Sequence, residues 1–173
     1  MHPSLKYENQ GGPTIVKIME LMNRSNRPVE DRRRVMEAVV FNYLIMGTDA
    51  HAKNFSLLLG VNQQVRLARL YDIASFLPYV DRRKDCRFAM KIGGYYKDAQ
   101  IQPKHFEKMA RACEFSGQEI LALVAEMAER MPAAVAKVKA ELDEQGIQHP
   151  VVGKLAKEVN LRAQSTLNNF GQK

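Results

Sequence analysis

Apolar residues recur at steps of three and four through most of this chain, which is the spacing of an amphipathic helix. Pro13, Pro28, Pro103 and Pro150 stand at the starts of such stretches. Proline is favoured at the first helical position because its missing N–H needs no partner there. Pro132 falls inside the long pattern after Pro103 and should kink or split that helix. The spacing therefore predicts a mainly α-helical protein.

The same pattern predicts which side chains are buried. Glu30 and Asp31 lie in the first turn of the second predicted helix, where the helix dipole favours negative charge. The buried face of that helix should contain Val35, Met36, Val39, Val40, Tyr43 and Leu44. A short polar break at 143–146 separates the last two helices, and a C-terminal helix is expected over 150–170. With no other linker, one domain over residues 1–173 is predicted.

Two short apolar runs between the helices predict a β-hairpin. Phe55–Leu59 is continuous and short enough for a buried strand, and Val65–Leu70 forms the second run. Gly60 and Asn62 lie between them, and both residue types favour turns. Arg87–Ile92 predicts one further short strand, which ends at a pair of glycines.

A polar loop, Gly47–Asn54, connects the second helix to the hairpin. Asp49 and Asn54 have the D-x-x-x-x-N spacing of the protein-kinase catalytic loop, in which the aspartate accepts the substrate proton and the asparagine binds magnesium. Asp72 follows the second hairpin run, where a kinase carries another metal-binding aspartate. Carboxylate and amide oxygens suit Mg²⁺. The pattern therefore indicates one general base and two magnesium ligands.

Sequence reasoning leaves other roles open for these residues. Asp49 alone could be a turn residue that caps backbone amides. Its pairing with His51 also resembles part of a zinc or iron site of a metal-dependent hydrolase. No other histidine stands in H-x-H or H-x-x-x-H spacing with His51, so a structural histidine is the favoured interpretation. Lys53 could contact the transferred phosphate or be a solvated cation.

Several segments together resemble a known family. They are Tyr7–Glu8, Gly11–Pro13, Phe41–Ile45, Thr48–Leu57, Leu70–Ser75, Pro78–Tyr79 and Ala89–Gly94. These segments look like the C-terminal lobe of HipA-type serine/threonine kinases, the toxins of bacterial toxin–antitoxin pairs. The resemblance covers roughly residues 7–145, and several ordered motifs are more specific than any single one. Met46-Gly47 departs from the family, which usually has Gly-Asn there.

The resemblance implies an ATP-dependent protein serine/threonine kinase. Asp49 would be the catalytic base, Asn54 and Asp72 the Mg²⁺ ligands, and Lys53 would join them in binding ATP. The family also implies an aminoacyl-tRNA synthetase as protein substrate, a helix-turn-helix antitoxin as partner, and contact with DNA only through that antitoxin.

The other half of a kinase is not visible in the sequence. No Gly-rich phosphate loop or strand-borne lysine precedes Asp49, and in the family the N-terminal lobe comes first. The chain is therefore expected to be an isolated C-terminal lobe, through truncation or gene splitting, that is weakly active or inactive alone. A separate N-terminal lobe is a candidate partner. The alternative from another class is a non-catalytic binding module that docks an antitoxin or such a lobe.

Composition and charge limit the setting. Cys86 and Cys113 are the two cysteines and have no metal-site spacing, which predicts free thiols in a reducing compartment. No targeting segment or membrane-length apolar run occurs, so a soluble cytoplasmic protein is expected. The formal net charge is +7, with basic clusters at 32–34 and 82–84. Trp is absent and the arginine clusters lack neighbouring rings, which disfavours direct nucleic-acid binding. The second cluster could touch substrate.

Overall fold

The computed structural model describes residues 6–79 and 86–171. These residues form five α-helices and two antiparallel β-hairpins. The helices are α1 (Ile15–Met22), α2 (Pro28–Leu44), α3 (Pro103–Ala112), α4 (Gly117–Glu144) and α5 (Pro150–Phe170). The strands are β1 (Leu57–Leu59), β2 (Val65–Leu67), β3 (Arg87–Ile92) and β4 (Tyr95–Lys97). The prediction of a mainly helical fold is confirmed.

The structure bears on two details of the predicted helices. Pro13 does not open α1, because the Thr14 hydroxyl accepts a hydrogen bond from the Lys17 N–H at 3.2 Å and makes Thr14 the N-cap. Pro132 does not split α4, which continues to Glu144. Helix α4 packs against α5, and this packing helps to hold α4 together where the proline removes one backbone hydrogen bond.

The core is built around α2. All six predicted side chains of this helix are buried. Tyr43 lies near the C-terminal end of α2. The centre of its ring is 5.0 Å from that of Phe106 on α3 and 6.1 Å from that of Phe170 on α5, and these contacts join both helices to α2. Arg162 of α5 donates to the Tyr43 carbonyl at 2.7 Å and to both oxygens of Asp98. None of the helices in the described ranges has the length and apolarity needed to cross a membrane.

The predicted hairpin is present but shorter than its apolar runs. Leu57 pairs with Leu67 and Leu59 with Val65. The prediction of a buried first strand is wrong, since Leu58 and Leu59 are 60% and 79% exposed. The reason is that β2 packs against α2 through Leu67, whereas β1 forms the outer strand. A second hairpin pairs β3 with β4, which is too short to be predicted from its pattern.

A buried carboxylate fixes the first hairpin on α2. Asp31 has no solvent exposure and accepts hydrogen bonds from the Arg66 guanidinium and from the Leu67 N–H at 3.1 Å. Arg34 donates to the Leu67 and Ala68 carbonyls. The basic cluster at 32–34 is therefore partly structural, and charge-assisted hydrogen bonds hold the hairpin that leads to Asp72.

Acid should destabilise the protein through Asp31. Burial raises the pKa of Asp31, but hydrogen bonds from Arg66, the Leu67 N–H and Ser25 outweigh it, so the pKa lies below its ordinary value of 3.8. A carboxyl with a depressed folded-state pKa adds stability above the unfolded-state pKa and loses it as the pH falls. We expect the free energy of unfolding to drop below about pH 4. Urea unfolding at several pH values measures this drop.

The variant Asp31→Asn assigns that drop to one residue. It should be less stable at pH 7 and show a smaller fall in stability between about pH 4 and pH 2. Asp143→Asn, which alters an exposed carboxylate paired with Lys139 on α4, should keep nearly the native pH dependence. An unchanged slope in Asp31→Asn would show that other carboxyls dominate.

Candidate active site

The polar loop begins where α2 ends. Gly47 lies against the side chain of Asn42, whose Oδ1 a Cβ at position 47 would overlap. Asn42 itself donates to the Ala38 carbonyl at 2.9 Å and is thereby held on α2. The loop therefore leaves the helix in close contact with it, and Asp49 follows with a side chain that is 54% exposed. An anchored loop with an exposed carboxylate suits a group that must meet substrate.

Two N-terminal residues contact Asp49. The Tyr7 hydroxyl donates to Asp49 Oδ1, and Lys6 Nζ lies 3.7 Å from the same oxygen. Hydrogen bonding with Tyr7, with a smaller contribution from the Asp49 charge, raises the pKa of Lys6, so its ammonium is charged at neutral pH. Both of these contacts are made by Oδ1, and neither engages Oδ2. Sequence reasoning gave no chemical role to either residue.

The Tyr7 segment is held in place by a neighbouring strand. Glu8 accepts a hydrogen bond from the Lys91 N–H of β3 at 2.7 Å, and its side chain also lies 3.7 Å from Lys91 Nζ. The only sequence signal for this arrangement was that Tyr7-Glu8 belongs to the motifs of the family resemblance. No local spacing links positions so far apart.

Asn54 is buried in a tight turn at Ala52–Asn54. Its Oδ1 accepts from the His51 N–H at 2.9 Å, and its Nδ2 donates to Asp72 Oδ2 at 2.9 Å. The structure thus brings two of the predicted site residues into direct contact. Among the hydrogen bonds of the described residues, none joins Asp49 to this pair.

Asp72 is exposed and has a left-handed backbone, with φ of +54°. Aspartate tolerates this region better than most residues, but the conformation still costs energy and is common at functional sites. The flanking chain holds it there: the Tyr71 hydroxyl donates to the Lys53 carbonyl, and Ser75 Oγ donates to the Ile45 carbonyl at 2.5 Å. Tyr71 therefore ties the Asp72 segment to the polar loop.

His51 is buried beside the site. Its ring meets Tyr7 edge to face, with ring centroids 5.5 Å apart. Within the part of the chain that the structure describes, its Nδ1 atom has no hydrogen-bond partner. Across residues 6–79 and 86–171, no group of three or more His, Cys, Asp and Glu side chains could hold a metal ion. The edge-to-face contact with Tyr7 suits a structural role for His51.

Two predicted elements add little to the geometry. Lys53 is exposed, and its backbone carbonyl accepts the Tyr71 hydroxyl, which places the residue directly before Asn54. The basic cluster at 82–84 lies outside the described residues.

The fold and these side chains define a class of protein. It is a mainly helical domain with a loop that has the D-x-x-x-x-N spacing of kinases, and the asparagine of that loop contacts a second aspartate, Asp72. The sequence model of the HipA-like C-terminal domain matches residues 1–135. This match covers most of the chain, and the chain therefore belongs to the family of HipA-like C-terminal domains.

Related proteins agree with this family. A Sinorhizobium fredii protein named "Putative kinase Y4mE" is 30% identical over 93% of this chain and 38% of its own length. A Haemophilus influenzae protein named "Putative kinase" is 27% identical over 34% of this chain and 17% of its own length.

A solved structure has the same fold. It is HipA in the Shewanella oneidensis complex of HipA, HipB and operator DNA, with a TM-score of 0.83 and 19% sequence identity. The match covers 98% of this chain and 42% of that one. The chain thus spans about two-fifths of the length of this structure and of the Sinorhizobium relative.

Proposed function

We propose that this chain supplies the catalytic base and the Mg–ATP ligands of a HipA-like protein serine/threonine kinase in a toxin–antitoxin system. Asp49 is the general base, Asn54 and Asp72 hold Mg²⁺, and Lys53 faces the transferred phosphate. The observation that carries the proposal is the 2.9 Å contact between Asn54 Nδ2 and Asp72 Oδ2. It joins, across 18 positions of sequence, the two residues whose oxygens a kinase would use for magnesium.

The side chains present fit Mg²⁺ and phosphate. Asp72 offers a carboxylate. Asn54 donates to Asp72 through Nδ2 and would hold the ion through Oδ1, which has a second lone pair beyond its bond from the His51 N–H. Magnesium in nucleotide sites takes one or two protein oxygens and completes its shell with water and phosphate oxygens. When bound, the ion would neutralise phosphate charge. Oδ2 of Asp49 would accept the proton of the substrate hydroxyl.

ATP binding measured by calorimetry tests the proposal. The native chain should bind ATP only with Mg²⁺, and Asp72→Asn should weaken binding by roughly tenfold or more, because it removes a charged ligand. Asparagine is the chosen replacement because it tolerates the left-handed backbone at position 72. Asp143→Asn on α4 is the matched control and should bind ATP like the native chain.

Each other outcome has a defined meaning. If the native chain and Asp72→Asn bind ATP equally well and without Mg²⁺, the result would contradict the magnesium site. If neither protein binds, the titration is repeated with the N-terminal lobe of a HipA-like relative added. Binding that appears then and depends on Asp72 supports the proposal, and continued absence of binding favours the non-catalytic module.

The rest of the kinase belongs to the proposal as well. Kinases hold the α- and β-phosphates with a Gly-rich loop and a strand-borne lysine. Because those elements are not among the motifs found, we expect weak or no phosphoryl transfer from the 173-residue chain alone. Strong transfer by the purified chain that is abolished in Asp49→Asn would contradict this expectation while supporting the site.

Partners are proposed from the family and its neighbour. A helix-turn-helix antitoxin is the proposed partner, since the Shewanella HipA is described in complex with HipB and operator DNA. DNA would be reached only through the antitoxin. The proposed substrate is an aminoacyl-tRNA synthetase, and the proposed compartment is the cytoplasm.

A non-catalytic binding module is the second candidate. The first hairpin favours it, because Leu58, Leu59 and Val61 are 60%, 79% and 80% exposed. Neighbouring exposed apolar side chains mark surfaces that contact other proteins. This function predicts a stable complex with an antitoxin or N-terminal lobe but no ATP binding in that complex.

A further inference from the structure

A polar cavity of about 290 Å³ lies next to the polar loop. Phe88 and Ala89 of β3 contribute apolar atoms to its lining. Hydroxyl, amide and guanidinium groups contribute the polar atoms. They belong to Tyr7, Asn9, Gln10, Thr48, Arg87 and Tyr96. A lining with so many hydrogen-bonding groups suits a polar ligand of side-chain size.

The cavity is linked directly to the proposed base. Tyr7 lines the cavity, and its hydroxyl donates to Asp49 Oδ1. Thr48, which also lines it, immediately precedes Asp49. A peptide segment bound in the cavity would therefore lie beside the carboxylate that accepts the substrate proton.

Basic side chains predominate around the cavity. Arg87 is the one charged side chain among the described lining residues, and it is exposed. Lys97 faces it across the β3–β4 pair, and Lys91 Nζ lies 5.1 Å from the centre of the Tyr96 ring. Two acids lie nearby. Glu8 is engaged by the backbone and side chain of Lys91, and Asp49 is hydrogen-bonded by Tyr7 and lies 3.7 Å from Lys6 Nζ. The cavity should therefore attract carboxylates and disfavour cations.

We propose that this cavity binds an acidic segment of the protein substrate, flanking the serine or threonine that is phosphorylated. A glutamate or aspartate side chain would pair with the Arg87 guanidinium, which presents a fork of donors to a carboxylate. Hydroxyl and amide groups of Tyr96, Asn9 and Gln10 would hydrogen-bond the peptide backbone. The role of the bound segment rests on the proposed function of Asp49, whereas the binding itself does not.

Fluorescence anisotropy with three labelled serine peptides tests this inference in the absence of nucleotide. The peptides differ only in the residues that flank the serine, which are glutamate, glutamine or lysine. The glutamate peptide should bind roughly tenfold more tightly than the glutamine peptide, as one charge-assisted hydrogen-bonded pair predicts. Arg87→Gln should remove this difference. Arg111→Gln, at an exposed α3 position outside the cavity lining, should preserve it.

A second variant protects the test against misfolding. Tyr96→Phe removes one hydroxyl from the cavity and should weaken the glutamate and glutamine peptides by a similar factor. Equal binding of those peptides, a preference that survives Arg87→Gln, or no binding of any peptide would overturn the inference. Competition by free glutamate as strong as by the peptide would also overturn it. A chain that binds the glutamate peptide but never Mg–ATP would keep this site and refute the proposed kinase function.

Discussion

Asp49→Asn is expected to lower phosphoryl transfer by about 10²–10⁴-fold, which is the usual contribution of a positioned general base. The carboxamide has nearly the shape of the carboxylate and can still accept a hydrogen bond from Tyr7, but it cannot take the proton of the substrate hydroxyl. The measurement is transfer of labelled phosphate from ATP to a serine peptide. The N-terminal lobe of a HipA-like relative is supplied in the assay.

Two further measurements separate loss of chemistry from loss of structure. Asp49→Asn should keep the native affinity for Mg–ATP, because no described hydrogen bond connects Asp49 to Asn54 or Asp72. It should also keep nearly the native free energy of unfolding, since the side chain is 54% exposed. Asp72→Asn should instead weaken nucleotide binding and lower phosphoryl transfer as well. Native transfer rates in Asp49→Asn would exclude Asp49 as the base.

The helical part of the fold could be predicted because burial imposes a period on the sequence. Every residue predicted for the buried face of α2 is buried, and α5 has the predicted bounds. The exposed leucines of β1 could not be predicted in the same way. A short apolar run is consistent with a buried strand, but it does not show which element covers the side chains. Leu58 and Leu59 belong to such an apolar run, yet their side chains are 60% and 79% exposed.

The site was predictable only where residue type and spacing carry the chemistry. Asn54 and Asp72 were predicted as a ligand pair, and the structure places them in contact. Tyr7 was missed because its contact with Asp49 spans 42 positions and depends on the packing of Glu8 against β3. The contact does not test the magnesium role of Asn54 and Asp72, which stays a prediction, as do the roles of Asp49 and Lys53 in phosphoryl transfer.

Gly93→Ala should destabilise the protein by about 2–5 kcal/mol. Gly93 has φ of +58°, a left-handed conformation that costs other residues about 1–2 kcal/mol. A Cβ there would also overlap the backbone carbonyl of His105 in the first turns of α3, and overpacking costs about 1–3 kcal/mol. Because the obstacle is backbone, relief requires moving the β3–β4 turn or α3 itself. Urea unfolding measures the change.

Two other glycines separate the causes of that loss. Gly146→Ala has the same backbone penalty, with φ of +72°, but its Cβ would meet no atom within 4 Å, so it should cost only about 1–2 kcal/mol. Gly153 lies inside α5 with open space around it, and Gly153→Ala should stabilise by about 0.5–1 kcal/mol. The excess loss in Gly93→Ala over Gly146→Ala then measures the contact with α3. Equal losses in the two variants would show that α3 moves to accommodate the added methyl group at position 93.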